Sequence, residues 1–177
     1  VIVVDASVLA PALGDDDTDG DRARERLYGE QLAAPELIDL EVVSTLRHAV
    51  RAKRLDGRRS AQALTDLAAL PLRRVPHLPL LVRVWELRDN LSAYDASYVA
   101  LAEALDTVLL TADGRIKEAS GINCEIAVLD WDSASRKDCH RGLLIKNSLQ
   151  LANRWAHAWE GGEEMTIEKV PSMKWRR

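Results

Sequence analysis

The chain has 177 residues, 47% of them hydrophobic, and a formal net charge of −4. That is long enough for one domain with a substantial core, and too apolar for wholesale disorder. The acidic balance argues against nucleic-acid binding by bulk charge, but not against a site where a cation bridges acid and phosphate.

The first stretch, VIVVDASVLA, has no basic n-region and carries an acid at position 5, so it does not read as a signal peptide. No apolar run approaches the ~18–20 residues of a membrane span. A cytosolic protein is expected. Val1 to Val4 read as a strand buried on both faces, as in a parallel sheet. Asp5 then stands at the strand's carboxyl end, the edge where open α/β sheets bind ligands. The same position also suits an N-cap for a short helix from Ala6, expected to end near Pro11 and Gly14.

Asp15, Asp17, Asp19, Gly20 and Asp21 have the opening spacing of a calcium loop, but its twelfth position is Arg26 where a bidentate Glu is needed. The run reads as a solvated acidic loop leading into a helix over 21–30. Residues 32–35 are a short strand or connector. A helix follows over 36–55, with Leu37, Leu40, Val43, Leu46 and Val50 as its apolar stripe. Glu41 lies beside that stripe. Arg47, Arg51 and Arg54 follow helical spacing on one face, either as cations near a helix C-terminus or as a phosphate-contacting rim.

Residues 60–70 read as a helix with Ala61, Leu64, Leu67 and Ala68 inward, 72–75 as a strand ended by Pro76, and 79–88 as a further helix. The stretch from Leu91 to Gly114 places Asp95 near a helix start and Asp113 just past the β-like run Thr107–Thr111. Ser92 and Asp95 have capping-box spacing. A helix over 114–119 and a strand over 124–129 complete an alternation that means a parallel α/β sheet. His48 and His77 have no partner spacing and read as structural. Cys124 and Cys139 are too few for a disulfide framework and lack zinc spacing.

Four acids, Asp5, Glu41, Asp95 and Asp113, thus have contexts that can converge. Two carboxylates ~4 Å apart repel by about 4 kcal/mol at an effective dielectric of 20, so such a cluster either raises its pKa values or takes up a cation. Carboxylates without His or Cys select a hard ion, Mg²⁺ or Mn²⁺, which suits hydrolysis of a phosphodiester.

The residues carry a family likeness. VIVVDASVLA, the segment Pro35–Arg47 around Glu41, the segment Ala93–Ala102 around Asp95, and Leu110–Arg115 around Asp113 together resemble the PIN-domain ribonucleases, above all the VapC toxins of bacterial toxin–antitoxin pairs. The likeness covers residues 1–129. It implies a PIN-like α/β domain with a central parallel sheet flanked by helices, and Asp5, Glu41, Asp95 and Asp113 as the Mg²⁺-binding catalytic acids. It also implies supporting hydroxyls at Ser7 and Thr111, an RNA substrate (tRNA or rRNA) whose cleavage stops translation, a cognate VapB-like antitoxin, and a homodimer. Arg47, Arg51, Arg54 and Arg115 are the candidate guides for the RNA backbone. A phosphotransferase would carry a second acid near Asp5, where Ser7, Val3 and Val4 stand instead. The remaining alternatives are a non-catalytic RNA- or protein-binding module on this fold and an RNA-processing nuclease that is not a toxin.

Residues 130–177 differ. The net charge is +3 over residues 131–177 against −7 over residues 1–130, and four of the five Trp lie in the tail. Leu144, Leu151, Trp155 and Trp159 can line one helix face, and residues 165–170 alternate weakly like an edge strand. The segment reads as a C-terminal appendage: a natural extension, a fused partner-like segment that covers the acidic cleft, or an addition to the natural chain.

Overall fold

The computed structural model describes residues 1–131; the readings of 132–177, Cys139 among them, lie outside the described residues. In chain order the elements are β1 (Ile2–Val4), α1 (Ala6–Gly14), α2 (Thr18–Leu27), β2 (Leu32–Pro35), α3 (Ile38–Arg51), α4 (Gly57–Ala69) and β3 (Leu72–Val75). A 3₁₀ turn (Leu78–Leu80) leads into α5 (Leu81–Glu86), followed by α6 (Ala93–Ala104), β4 (Leu109–Thr111), α7 (Gly114–Glu118) and β5 (Ile126–Val128).

The five strands form one parallel sheet in the order β3-β2-β1-β4-β5. The three central strands are buried on both faces, which is why they read as short unbroken apolar runs; the edge strands β3 and β5 are mostly half-buried. After β1 the chain builds outward to β2 and β3, then returns to place β4 on the other side of β1. The order therefore reverses between β1 and β4. At such a switch point the loops leaving the strand ends diverge and open a crevice. Val3 pairs with Leu109 and Val4 with Leu110, and the Asp5 amide donates to the Leu110 carbonyl at 3.0 Å. Asp5 and the residues that follow Leu110 are thereby fixed at one edge of the crevice. Trp131 still packs against the core.

Several helices differ from their expected course. α1 ends at Gly14, within the expected bounds, and continues through Pro11. Pro11 removes one amide, but Val8, Leu9, Ala10, Ala12 and Leu13 are all buried, and packing outweighs the local defect. α2 begins at Thr18 and ends at Leu27. A Cβ on Gly20 would lie 1.9 Å from the Asp15 carbonyl oxygen, so the acidic run folds tightly against the first turn of α2. Arg24 donates to the carbonyls of Ala12 and Asp15, and Arg59 pairs with Asp16 at 3.0 Å. Counter-charges from the chain itself thus hold this acidic segment.

The buried face of α3 is Ile38, Val42 and Leu46; of the expected stripe Leu46 is buried and Leu37 half-buried against the core, but Leu40 is 75% exposed and Val43 is exposed. Apolar residues surround this helix, and an i, i+3 series and an i, i+4 series that meet at Leu46 compete for the core. On α4 the inward residues are Ala63 and Leu67, while Ala61, Leu64 and Ala68 face out. The expected helix over 79–88 is divided between the 3₁₀ turn and α5, with Leu80 and Leu87 buried and Leu81 exposed. The α3 helix ends at Arg51, and Lys53 takes a positive φ of 56° that turns the chain, so Arg54 does not continue the face of Arg47 and Arg51.

Candidate active site

Asp5 is the centre of the crevice. It caps α1, its Oδ1 accepting from the Ser7 amide at 3.1 Å. Its Oδ2 accepts two hydroxyl protons, from Ser7 Oγ at 2.9 Å and from Thr111 Oγ1 at 2.6 Å. Those hydroxyls are in turn acceptors: Ser7 Oγ takes the Ala112 amide at 2.9 Å, and Thr111 Oγ1 takes the Asp113 amide at 3.0 Å. Each hydroxyl has one proton, and each is spent on Asp5. The 3.4 Å approach between Ser7 Oγ and Thr111 Oγ1 is therefore a contact without a proton to bridge it. The network makes Asp5 an acceptor on both oxygens, ties the start of α1 to the end of β4, and leaves Oδ1 with one donor among the described residues. The expected supporting hydroxyls thus both touch the first acid.

Glu41 reaches the crevice from α3, three residues past buried Ile38 and one before buried Val42. The Tyr98 hydroxyl donates to its Oε2 in a short hydrogen bond. Burial pushes the Glu41 carboxyl above its ordinary value; the Tyr98 hydrogen bond pulls it down, and the charges of Asp5 and Asp95 push it up again. Glu41, from α3, thus shares an electrostatic field with Asp5, just past β1, and with Asp95, on α6. Burial also raises the Tyr98 phenol far above its usual range. Glu41 and Asp5 add to this, and the Ala6 amide opposes it.

Asp95 lies in the first turn of α6. Ser92 caps that helix, accepting from the Asp95 amide at 3.2 Å and donating its hydroxyl to Asp95 Oδ2 at 2.7 Å. The capping-box spacing is realised with the carboxylate returning to the Ser hydroxyl rather than to its amide. Asp113 caps α7 and is joined to Asp5 through Thr111. Its carboxylate is gripped by Arg115, whose Nε lies 2.9 and 3.1 Å from the two oxygens and whose Nη2 lies 2.5 Å from Oδ2. That guanidinium holds the Asp113 carboxyl below its ordinary value, and Arg115 also feels the charge of Asp95.

The four acids expected from the sequence therefore come together beside the β1–β4 edge, in two grades: Glu41 feels the negative charge of both Asp5 and Asp95, while Asp113 has its own cation. The basic residues fare differently. Arg115 is engaged with an acid. Arg47 and Arg51 are exposed, about 9 and 15 Å beyond Glu41 along the α3 axis by helical rise. Arg54 is exposed past the end of that helix. Tyr98 was not singled out from the sequence; its only signal is the i, i+3 spacing from Asp95, which sets both on one side of α6.

The donor set suits a hard cation. Glu41 Oε1 and Asp95 Oδ1 accept no hydrogen bond among the described residues, and Asp5 Oδ1 accepts one. No group of three or more His, Cys, Asp or Glu forms a ready-made cage among the described residues.

A family profile described as the PIN domain matches residues 2–122. Ribonuclease VapC9 of Mycobacterium tuberculosis is 46% identical over 132 residues, covering 73% of this chain and 98% of that protein. Ribonuclease VapC1 of the same organism is 41% identical over 128 residues, covering 72% of this chain and 96% of that one. The crystal structure of M. tuberculosis VapC20, titled a sarcin-ricin loop cleaving toxin, matches 70% of this chain and 97% of its own with a TM-score of 0.53 at 19% identity, which shows the shared fold. On its sequence and its sheet alike, the chain belongs to the PIN-domain family of VapC ribonucleases.

Proposed function

We propose that the chain is a divalent-metal-dependent endoribonuclease that acts as the toxin of a VapBC-type pair and stops translation by cutting tRNA or rRNA. The observation that carries this reading is a Glu41 that feels the charge of both Asp5 and Asp95 at the switch point, with one oxygen of Glu41 and one of Asp95 that accept no donor among the described residues and an Asp5 Oδ1 that accepts only one. A binding module has no use for such a costly cluster. Asp5, Glu41 and Asp95 would hold Mg²⁺ or Mn²⁺, with Asp113 joining once Arg115 lets go. A bound Mg²⁺ supplies positive charge against the phosphate and lowers the pKa of coordinated water. The chain's own part is to orient: Ser7 and Thr111 fix Asp5, Ser92 fixes Asp95, and the crevice between β1 and β4 sets where the phosphate lies. Arg115, 87% exposed, can exchange a carboxylate for a phosphate partner at little cost. Arg47, Arg51 and Arg54 would follow the backbone further out.

A VapB-like antitoxin is the proposed partner, on the likeness to VapC proteins. Exposed Leu78, Val82 and Trp85 on the 3₁₀ turn and α5 support a protein contact, which we assign to a homodimer. Residues 1–129 are proposed as the nuclease domain and 130–177 as a C-terminal extension, supported by a family match that ends at 122. Among the described residues no helix is long and apolar enough to cross a membrane. An RNA substrate supports a cytoplasmic location.

The test is cleavage of total cellular RNA by the purified chain with Mg²⁺ or Mn²⁺, with EDTA, and beside Asp5→Asn. Discrete fragments that need metal are expected, and Asp5→Asn should lower the rate by about a hundredfold or more, beyond what loss of an outer partner costs. Asn caps α1 as well as Asp does, so the fold should survive. Cleavage that persists undiminished in Asp5→Asn would sink the proposal.

A further inference from the structure

Tyr98 is 1% exposed, one of the largest side chains that the fold buries completely. A buried phenol must find a partner for its hydroxyl, and in a plain core that partner is most simply a nearby carbonyl. Here it is a carboxylate of the crevice, delivered by α3 from 57 positions away. The spacing on α6 is equally pointed. Asp95 and Tyr98 are i and i+3, so one helical face brings both an acid and a hydroxyl to the same place. The ring packs into the core while its oxygen meets Glu41 at the crevice wall.

We infer that Tyr98 is a positioning residue for Glu41: its hydroxyl pins one carboxylate oxygen, Oε2, and thereby commits the other, Oε1, to the cation. The hydroxyl has one proton to give and gives it to a charged acceptor, the stronger kind of hydrogen bond. Glu has three side-chain torsions, and Glu41 has no other hydrogen-bond donor to its carboxylate among the described residues. Without the phenol its carboxylate would rotate freely beside two acids that repel it. The relationship parallels that of Ser7 and Thr111 with Asp5 and of Ser92 with Asp95, so each of the three repelling acids has a hydroxyl that holds it. This inference rests on the reading of those acids as a cation site.

The test is calorimetric titration of Mn²⁺ into the full chain, without RNA, in four proteins: wild type, Tyr98→Phe, Glu41→Gln and the double variant. Tyr98→Phe removes one oxygen and keeps the ring. It should weaken Mn²⁺ binding about tenfold, the usual cost of losing a partner behind a metal ligand. In the Glu41→Gln background the same change should alter Mn²⁺ affinity by less than about twofold, because the two residues act as one unit. RNA cleavage by Tyr98→Phe should fall and recover as Mn²⁺ is raised. A folded Tyr98→Phe protein with wild-type Mn²⁺ affinity would overturn the inference, even if its Tm had dropped, since that is the signature of a merely structural hydroxyl. An equal loss in both backgrounds would overturn it as well. A wild-type chain that takes up no Mn²⁺ would be a different failure, that of the acid site itself.

Discussion

The two ends of the crevice hold their acids by different means. At one end, Asp5 and Glu41 are partly buried and held by neutral donors: Ser7, Thr111 and Tyr98. At the other, Asp113 is held by a guanidinium that stands almost wholly in solvent. Neutral donors orient a carboxylate without cancelling its charge, so the buried end keeps its appetite for a cation. The charged donor cancels what it holds, and it can be exchanged for another ion. One end is thus built for permanence, the other for exchange. The contrast also explains why burial raises the Glu41 carboxyl while Arg115 lowers that of Asp113.

The strongest way to break the contrast is to remove the most buried link of the permanent end. Thr111 is fully buried, and its Oγ1 both donates to Asp5 and accepts from the Asp113 amide. Thr111→Val keeps the shape and leaves both partners wanting. It should cost about 1–3 kcal/mol, which lowers Tm by about 2–10 °C in a chain of this length. Thermal unfolding followed by circular dichroism checks it. Thr111→Ser should restore most of the loss, because it returns the oxygen. A Thr111→Val protein as stable as wild type would mean that the hydroxyl network is not the fastening described.

How much of this was legible in the residues depends on which forces choose each side chain's place. Asp5 and Asp113 each follow an apolar strand, and parallel register alone carries both to one edge; no tertiary knowledge was needed. The Ser92–Asp95 pair showed in its own local spacing, whereas Ser7 and Thr111, each two positions from an acid, entered through the likeness to the PIN-domain family. The face of α3 was harder. Leu37, Ile38, Leu40, Val42 and Val43 are apolar in nearly every direction, and only packing against the rest of the fold selects Ile38 and Val42. Tyr98 looks like any core aromatic until Glu41 is brought to it from another helix. Arg115 was read as a guide for RNA, because charge patterns show the sign of a side chain but not which neighbour reaches it first. Arg54 was placed on a helix that had already ended at Arg51.

Acidity separates the two ends in sign. Glu41 has a raised pKa in the folded chain, so its protonated form favours folding: that contribution is present below its ordinary value of 4.5 and is lost as pH rises through the raised value. Asp113 has a lowered pKa: its contribution is present above 3.8 and is lost as pH falls through the lowered value. Urea unfolding across that range should therefore show Glu41→Gln gaining stability relative to wild type as pH rises above 4.5, and Asp113→Asn relatively flatter below pH 3.8. Curves that move the same way would erase the distinction between the ends.

The smallest effect should come from Arg115, and its smallness is the point. An exposed ion pair gains little in water, and its two partners give up side-chain freedom to form it. Arg115→Gln should leave Tm unchanged, while the Asp113 carboxyl, followed by carbon NMR, should return upward to its ordinary value of 3.8. Salt should do part of the same work in the unmodified chain. Raising ionic strength from about 0.1 M to 1 M shortens the screening length from about 10 Å to 3 Å, and should lift the Asp113 titration while leaving the hydrogen bond between Tyr98 and Glu41 in place. If salt moves neither, Arg115 is fastened more firmly than its exposure allows, and the exchangeable end of the crevice is as permanent as the buried one. If the Asp113 titration alone moves, that carboxylate is free to change partners when phosphate or a metal ion arrives, and the other three acids are already oriented to meet it.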